Sequence, residues 1–309
     1  MIKFWNTARG IGAADAWRDA CWLQATAPTE RETGMLIHQL GIPESFIDDI
    51  ADADERSRID TSNGWMMIIL RIPHINLATS RAPFVTVPLG ILIKDNKVVT
   101  VCHHETEMVN DFIARQQRRE AGFIDAVDMV FRLFLCAAVC YNKYLRRVSD
   151  LIEQAKYNME GKKIANSDLI SLSRLQDTLT YFATSIRGNE NLLGKIGARL
   201  PVDELDAELI DDVNIETNQA RENNWIYINV LNSIIETNAN IINNDMSQVM
   251  RLLTALNIII MLPSLIASTF GMNLINGMEN WEWGFAVAIA VSVASIAACY
   301  LWFRLKNWL

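Results

Sequence analysis

Paired cysteines are missing from this chain of 309 residues. It has five, Cys21, Cys102, Cys136, Cys140 and Cys299, with no CxxC pair and no even framework. That usage suits a reducing compartment. Basic residues are in the minority, 28 Lys and Arg against 36 Asp and Glu, for a formal net charge of −8. An acidic balance argues against nucleic acid as a partner and is compatible with cations or with plain solubility. The opening decapeptide, Met1 to Gly10, holds no apolar core of signal-peptide length, so whatever precedes the later apolar runs is expected in the cytoplasm. Ser/His/Asp arrangements, phosphate-binding glycine loops and GxGxxG are also missing. No enzyme and no organic cofactor are expected.

Glycine is absent from Asp203 to Phe270, and proline occurs there only as Pro263. A helix that long would reach about 100 Å at 1.5 Å per residue. Charge is absent from Leu252 to Phe270, about 19 residues and enough to span a bilayer. Steps of three and four along this stretch pick out one seam: Glu236, Asn240, Asn243, Ser247, Met250, Thr254, Asn257, Met261, Ser264, Ser268. Such spacing keeps one helix face turned to a neighbouring copy. The seam is amide, hydroxyl and thioether, while flanking residues such as Ile241, Leu252, Leu256 and Ile258 are greasy. Lipid cannot satisfy amides, so a polar stripe on a spanning helix must face protein or water. A symmetric ring of such helices, with the stripe lining a pore, is the simplest geometry. Met250 and Met261, with Leu253 beside them, fit hydrophobic constrictions that gate by dewetting, or ordinary packing methionines. Asn257 fits an ion-facing oxygen or interhelical glue. Glu236 fits a pore position or a solvated face.

A second apolar run, Gly284 to Phe303, is also long enough to span. Between the runs lies a short loop, 271–283, carrying Glu279 and Glu282 and no base. Arg251 flanks the first run, and Arg304 and Lys306 follow the second. The positive-inside rule then places both termini in the cytoplasm and the loop outside, in an inner membrane. Trp281, Trp283, Trp302 and Trp308 stand at belt positions. Upstream, residues 1–120 read as a cytoplasmic α/β domain. Its first strand is expected over Ala20–Thr26, and a helix from Thr29 to Leu40 opens on a capping box. Another helix is expected over Pro43–Ala51, with strands over Trp65–Ile72, Phe84–Ile93 and Lys97–Cys102. The last two form a hairpin through Lys94-Asp95-Asn96-Lys97. A helix is expected from Glu105 to Arg119. Residues 121–200 read as a helical hairpin, Phe123–Met159 and Ser167–Ile196, with Ser167 as N-cap and Gly197 near the stop. Pro201 opens a stalk over 201–251, which continues into a first span, 252–270. The outer loop 271–283, the second span 284–303 and a basic tail 304–309 complete an α+β chain.

At the outer end of the first span stands Gly271-Met272-Asn273, preceded by Pro263-Ser-Leu-Ile-Ala-Ser-Thr-Phe. With two spans near the chain's end, a short acidic loop and the ending Lys306-Asn307-Trp308-Leu309, this resembles the CorA family of divalent-cation transporters. The resemblance implies a homopentameric funnel with the first helix of each subunit lining the pore. It implies transport of Mg2+, often with Co2+ and Ni2+, and partners limited to its own copies, membrane lipid and divalent cations. Gly271, Met272 and Asn273 would form the selectivity filter. Mg2+ sheds water reluctantly, and a ring of neutral amide oxygens can hydrogen-bond the shell of a hydrated ion without trapping it. Glu279 and Glu282 would concentrate cations at the mouth.

In the family, cytoplasmic Mg2+ bridges carboxylates between subunits and holds the pore shut. The acidic stretch Asp203, Glu204, Asp206, Glu208, Asp211, Asp212, Glu216 offers Asp212 at a similar spacing from Gly271. The position expected to supply its partner reads His74-Ile75-Asn76, without a carboxylate, and a solvated acidic helix start is the competing reading. Cys102-His103-His104-Glu105 holds metal-ligand types, but adjacent strand residues point to opposite sides. Cys136 and Cys140 read as buried small hydrophobes. Two other functions fit the same architecture: zinc transport, and a membrane-anchored sensor that has lost conduction.

Overall fold

Runs of Ile, Val, Leu and Met between turn residues build a single mixed sheet, and the apolar periodicity of 3.6 that follows builds helices. The structure is a computed structural model. It describes residues 1–7, 10–15, 17, 21–76, 82–95, 97–119, 122–159, 165–199, 206–272, 282–306 and 308. The chain divides into two compact units, Met1–Ile234 and Ile235–Leu309.

The first unit holds strands β1 (Ile2–Asn6), β2 (Gly12–Ala14), β3 (Cys21–Thr26), β4 (Arg58–Ser62), β5 (Trp65–Ile75), β6 (Phe84–Lys94) and β7 (Lys97–Cys102). Its helices are α1 (Glu30–His38), α2 (Glu44–Ala51), α3 (Glu107–Arg119), α4 (Ala126–Met159) and α5 (Asn166–Arg199). The sheet order is β2-β1-β3-β7-β6-β5-β4, with β3 and β7 parallel and the other neighbours antiparallel. Alternation along the strands splits the core in two. Leu23, Ala25, Met67, Ile69, Leu92, Val99 and Val101 pack under Leu36 of α1 and Phe46, Ile47 and Ile50 of α2. On the opposite face Trp22 meets Phe112 of α3 edge to face, and at the start of β6 Phe84 meets Tyr144 of α4 in the same way. Both faces being covered, the central strands are buried almost throughout, as their near-continuous apolar sequence requires.

Several sequence expectations shift. The strand at Cys21–Thr26 is the third, because β1 and β2 precede it. Strand β4 was missed although its signal is present. Asn63 and Gly64 sit at φ 51 and 77, the left-handed pair of a two-residue hairpin between Ser62 and Trp65. The capping box at Thr29 is present, with Glu32 Oε2 accepting from Thr29 N at 2.9 Å and Glu32 N donating to Thr29 Oγ1 at 3.4 Å. Ser167 is not the cap of α5, since the helix begins at Asn166 and Asp168 Oδ2 accepts from Ala165 N at 3.1 Å. Gly197 lies inside α5. Helix α4 starts at Ala126, after Asp125 has accepted from Asp128 N at 2.8 Å. Helix α3 starts at Glu107 and α2 at Glu44. Pro201, Asn96, Asp203, Glu204 and Trp281 lie outside the described residues.

Helix α6 runs from Ala207 to Phe270 without interruption, 64 residues with Pro263 inside. Its residues to Ile234 belong to the first unit and the rest to the second. The second unit also holds α7, Gly284–Leu305, two residues longer at its end than the apolar run read from sequence.

Candidate functional site

The sequence seam is a physical face of α6. Glu236, Asn240, Asn243, Ser247, Met250, Leu253, Thr254, Asn257, Met261, Ser264 and Ser268 are all exposed in the isolated chain. Ala255 is buried, and Ile258, Ile259, Leu262 and Ile266 are half-buried, a stripe on a different side of the helix. On α7 the half-buried positions Val287, Ala288, Ser292, Ser295 and Cys299 form one stripe, at helical spacing. The polar seam is thus left open by the helix's own subunit.

Side-chain chemistry along the seam divides by type. Ser247 Oγ donates to the Asn243 carbonyl and Thr254 Oγ1 to the Met250 carbonyl, each at 2.8 Å. Such back-bonding uses the hydroxyl proton and leaves oxygen lone pairs facing outward as acceptors for a cation or its water. On α7, Ser292 and Ser295, in the half-buried stripe, bond back in the same way at 2.8 and 2.7 Å. Asn257 cannot satisfy a whole amide within its own helix, so it requires water, an ion shell or another chain. Met250 and Met261 are 58% and 70% exposed, which makes them projecting thioethers in this chain. Pro263 has no N–H for the Ile259 carbonyl, a further acceptor within the apolar segment.

At the end of α6, Gly271 N still donates to the Ala267 carbonyl at 3.0 Å, and Gly271 and Met272 are exposed. Glu282 is exposed just before α7. Asn273 and Glu279 lie outside the described residues. The apolar segments of α6 and α7 have mean hydropathies of 2.0 and 2.1 and bury 6% and 0% of their residues. Two apolar helices this long and this bare call for a lipid or protein cover rather than water.

Asp212 is exposed on α6 beside the fully buried Val213. His74 lies against His104 with ring centroids 5.2 Å apart and planes tilted by 44°, and Asn76 donates to the Ala82 carbonyl at 3.0 Å. Glu216 departs from the solvated acidic reading, since its carboxylate accepts from Asn142 Nδ2 at 2.9 Å. Asn142 is a functional candidate the sequence reading passed over. Its signal was a lone amide within the apolar run of α4.

The Cys102–Glu105 stretch does not assemble a ligand set, and no group of three or more His, Cys, Asp or Glu fit for a metal occurs among the described residues. Burial pushes the Cys102 thiol up to about 11 and the Cys136 thiol up to about 12, so both stay protonated. Burial lowers His74 and His103, with the charge of His104 acting in the same direction. Cys136 and Cys140 are buried on α4.

The profile of the CorA-like Mg2+ transporter protein family matches residues 17–305. The chain belongs to this family. The cobalt/magnesium transport protein CorA of Methanocaldococcus jannaschii is 24% identical over 297 residues, 93% of this chain and 91% of that one. The magnesium transport protein CorA of Haemophilus influenzae is 22% identical over 302 residues, 94% of this chain and 92% of the relative. The complete structure of the M. jannaschii CorA magnesium transporter superposes with a TM-score of 0.83 at 20% identity, covering 100% of this chain and 99% of that one. The CorA fold therefore extends over the whole chain: an α/β first unit, the long α6 and the apolar α7.

Proposed function

We propose that this protein transports divalent cations, chiefly Mg2+, across a membrane through a pore lined by α6. The observation that carries the reading is the exposed, mostly amide, hydroxyl and thioether seam that runs into the uncharged segment 252–270 of α6, in a chain of the CorA family. A seam left open by its own subunit is completed by copies of itself, and we assign the assembly as a homopentamer. Both termini are cytoplasmic, by the bases Arg251, Arg304 and Lys306 against the acids Glu279 and Glu282. Gly271, Met272 and Asn273 form the filter, where amide oxygens accept from the water shell of the ion. Glu279 and Glu282 raise the cation concentration at the mouth. Thr254, Asn257, Ser264 and Ser268 relay the ion with neutral oxygens, and Ser247, Asn243 and Glu236 continue the path. Met250, Leu253 and Met261 narrow it to a length that dewets when shut. Asp212 is the regulatory cation ligand, exposed and without an ion-pair partner among the described residues.

Flux into liposomes holding the full chain tests this, comparing Mg2+, Co2+, Ni2+ and Zn2+ with hexaamminecobalt as blocker. Mg2+ uptake blocked by that mimic of the hydrated ion is expected. Zinc uptake without Mg2+ uptake would assign the chain to zinc, and no flux from an assembled protein would leave only a sensor.

A further inference from the structure

The part of α6 in the first unit lies against α4 and α5 along a seam. Its buried positions are Leu209, Val213, Ala220, Asn224 and Leu231, with Glu216, Thr217 and Asn223 half-buried among them. Apolar contacts at Leu209 and Val213 carry less directional information than hydrogen bonds do. A solvent-open cleft of about 360 Å³ lies beside the first turns of the seam, lined by Phe131, Glu190, Ile210, Asn214, Thr217 and Asn218.

Directional bonds come from one group. Asn142, 5% exposed on α4, donates Nδ2 to the Glu216 carbonyl at 3.2 Å and to its carboxylate Oε2 at 2.9 Å. Its Oδ1 accepts from Asn223 Nδ2 at 3.2 Å. Glu216 and Asn223 lie seven residues apart, two turns of α6, and bracket Asn142 from either side. A slip of α6 by one residue rotates both partners by about 100° and breaks every bond at once. Asn224 Oδ1, buried in the same seam, has no hydrogen-bond partner among the described residues. The seated register thus leaves one buried acceptor unmet among the described residues.

We propose that Asn142, Glu216 and Asn223 form a polar catch that fixes the axial register of the pore helix, and that its release is one step in opening. They are positioning residues, acting on ions only through α6, which is one helix from Ala207 to Phe270. The inference rests on the transport reading above.

The test uses full-length protein with Asn142→Leu, Glu216→Leu and the two together. Either single change strands a buried polar partner and lowers the melting temperature. The double change removes both, so stability returns toward the parent's while the catch stays absent. Proteoliposomes at fixed internal Mg2+ then report positioning separately from stability. The double variant is expected to change Mg2+ flux by about threefold or more at a melting temperature near the parent's. Flux equal to the parent's in that variant overturns the catch, and so do melting-temperature losses that simply add. A parent without flux strikes the transport reading instead, and the additivity of the melting temperatures still decides whether Asn142 and Glu216 act as one.

Discussion

Gly90 lies in the middle of β6 because α2 crosses the sheet there at the closest approach. A Cβ at this position would stand 2.1 Å from Ile50 Cδ1 and 2.5 Å from its Cγ1. Ile50 is β-branched and fully buried, so it cannot yield. Gly90→Ala is expected to destabilise the first unit by about 1–3 kcal/mol in denaturant melts. In an Ile50→Ala background the same change should be nearly neutral. The histidines supply a second residue-level prediction. His74 and His103 are lowered in the folded chain by burial and by His104, so they bind protons less well folded than unfolded. Their contribution to stability is present above the unfolded value, about 6.5, and is lost as pH falls through it. Melting at pH 7 and at pH 5.5 should show a drop that His103→Gln reduces. An unchanged difference would assign the acid sensitivity elsewhere. At this scale the sequence was only partly legible. Asn63-Gly64 announced a hairpin through its need for positive φ, whereas the closeness of Ile50 to Gly90 depends on residues 40 positions apart.

Helix α6 shows what a single element can and cannot declare. Its length, its lack of glycine and its polar seam were plain in the sequence, because each is a local or periodic property. Which part of it would be covered by the same subunit was not plain, since cover comes from other elements. Asn257 makes the distinction testable. If its amide faces the ion path, Asn257→Leu should reduce Mg2+ flux about tenfold, equivalent to about 1.4 kcal/mol, with the oligomer intact by size-exclusion chromatography. Loss of the oligomer with normal flux per assembled particle would make the residue glue between helices. The acidic start of α6 illustrates the same limit. Seven carboxylates looked alike in sequence, yet Glu216 is engaged by Asn142 while Asp212 is left exposed.

For the whole molecule the predictions concern assembly and transport. Asn273→Ala is expected to abolish Mg2+ selectivity without disturbing the proposed pentamer, because in sequence the residue follows the last turn of α6. Flux ratios for Mg2+ over Zn2+ equal to the parent's would remove it from the filter. Asp212→Ala should weaken closure by internal Mg2+, read as reduced protection of the first unit from protease when Mg2+ is added. Protection equal to the parent's would free Asp212 from sensing.

The sequence by itself determined the α+β class, the two apolar helices, the seam from Glu236 to Ser268 and the resemblance carried by Gly271-Met272-Asn273. Each follows from hydrophobic period, from the bilayer's intolerance of unmet amides, or from a motif read in line. Only the tertiary structure decided that Cys21–Thr26 is the third strand and pairs in parallel with β7. It alone showed that His74 faces His104, and that Asn142 meets Glu216 and Asn223 across two helices. Those are pairings between distant segments, set by which surfaces the packed core brings together, and no local spacing encodes them.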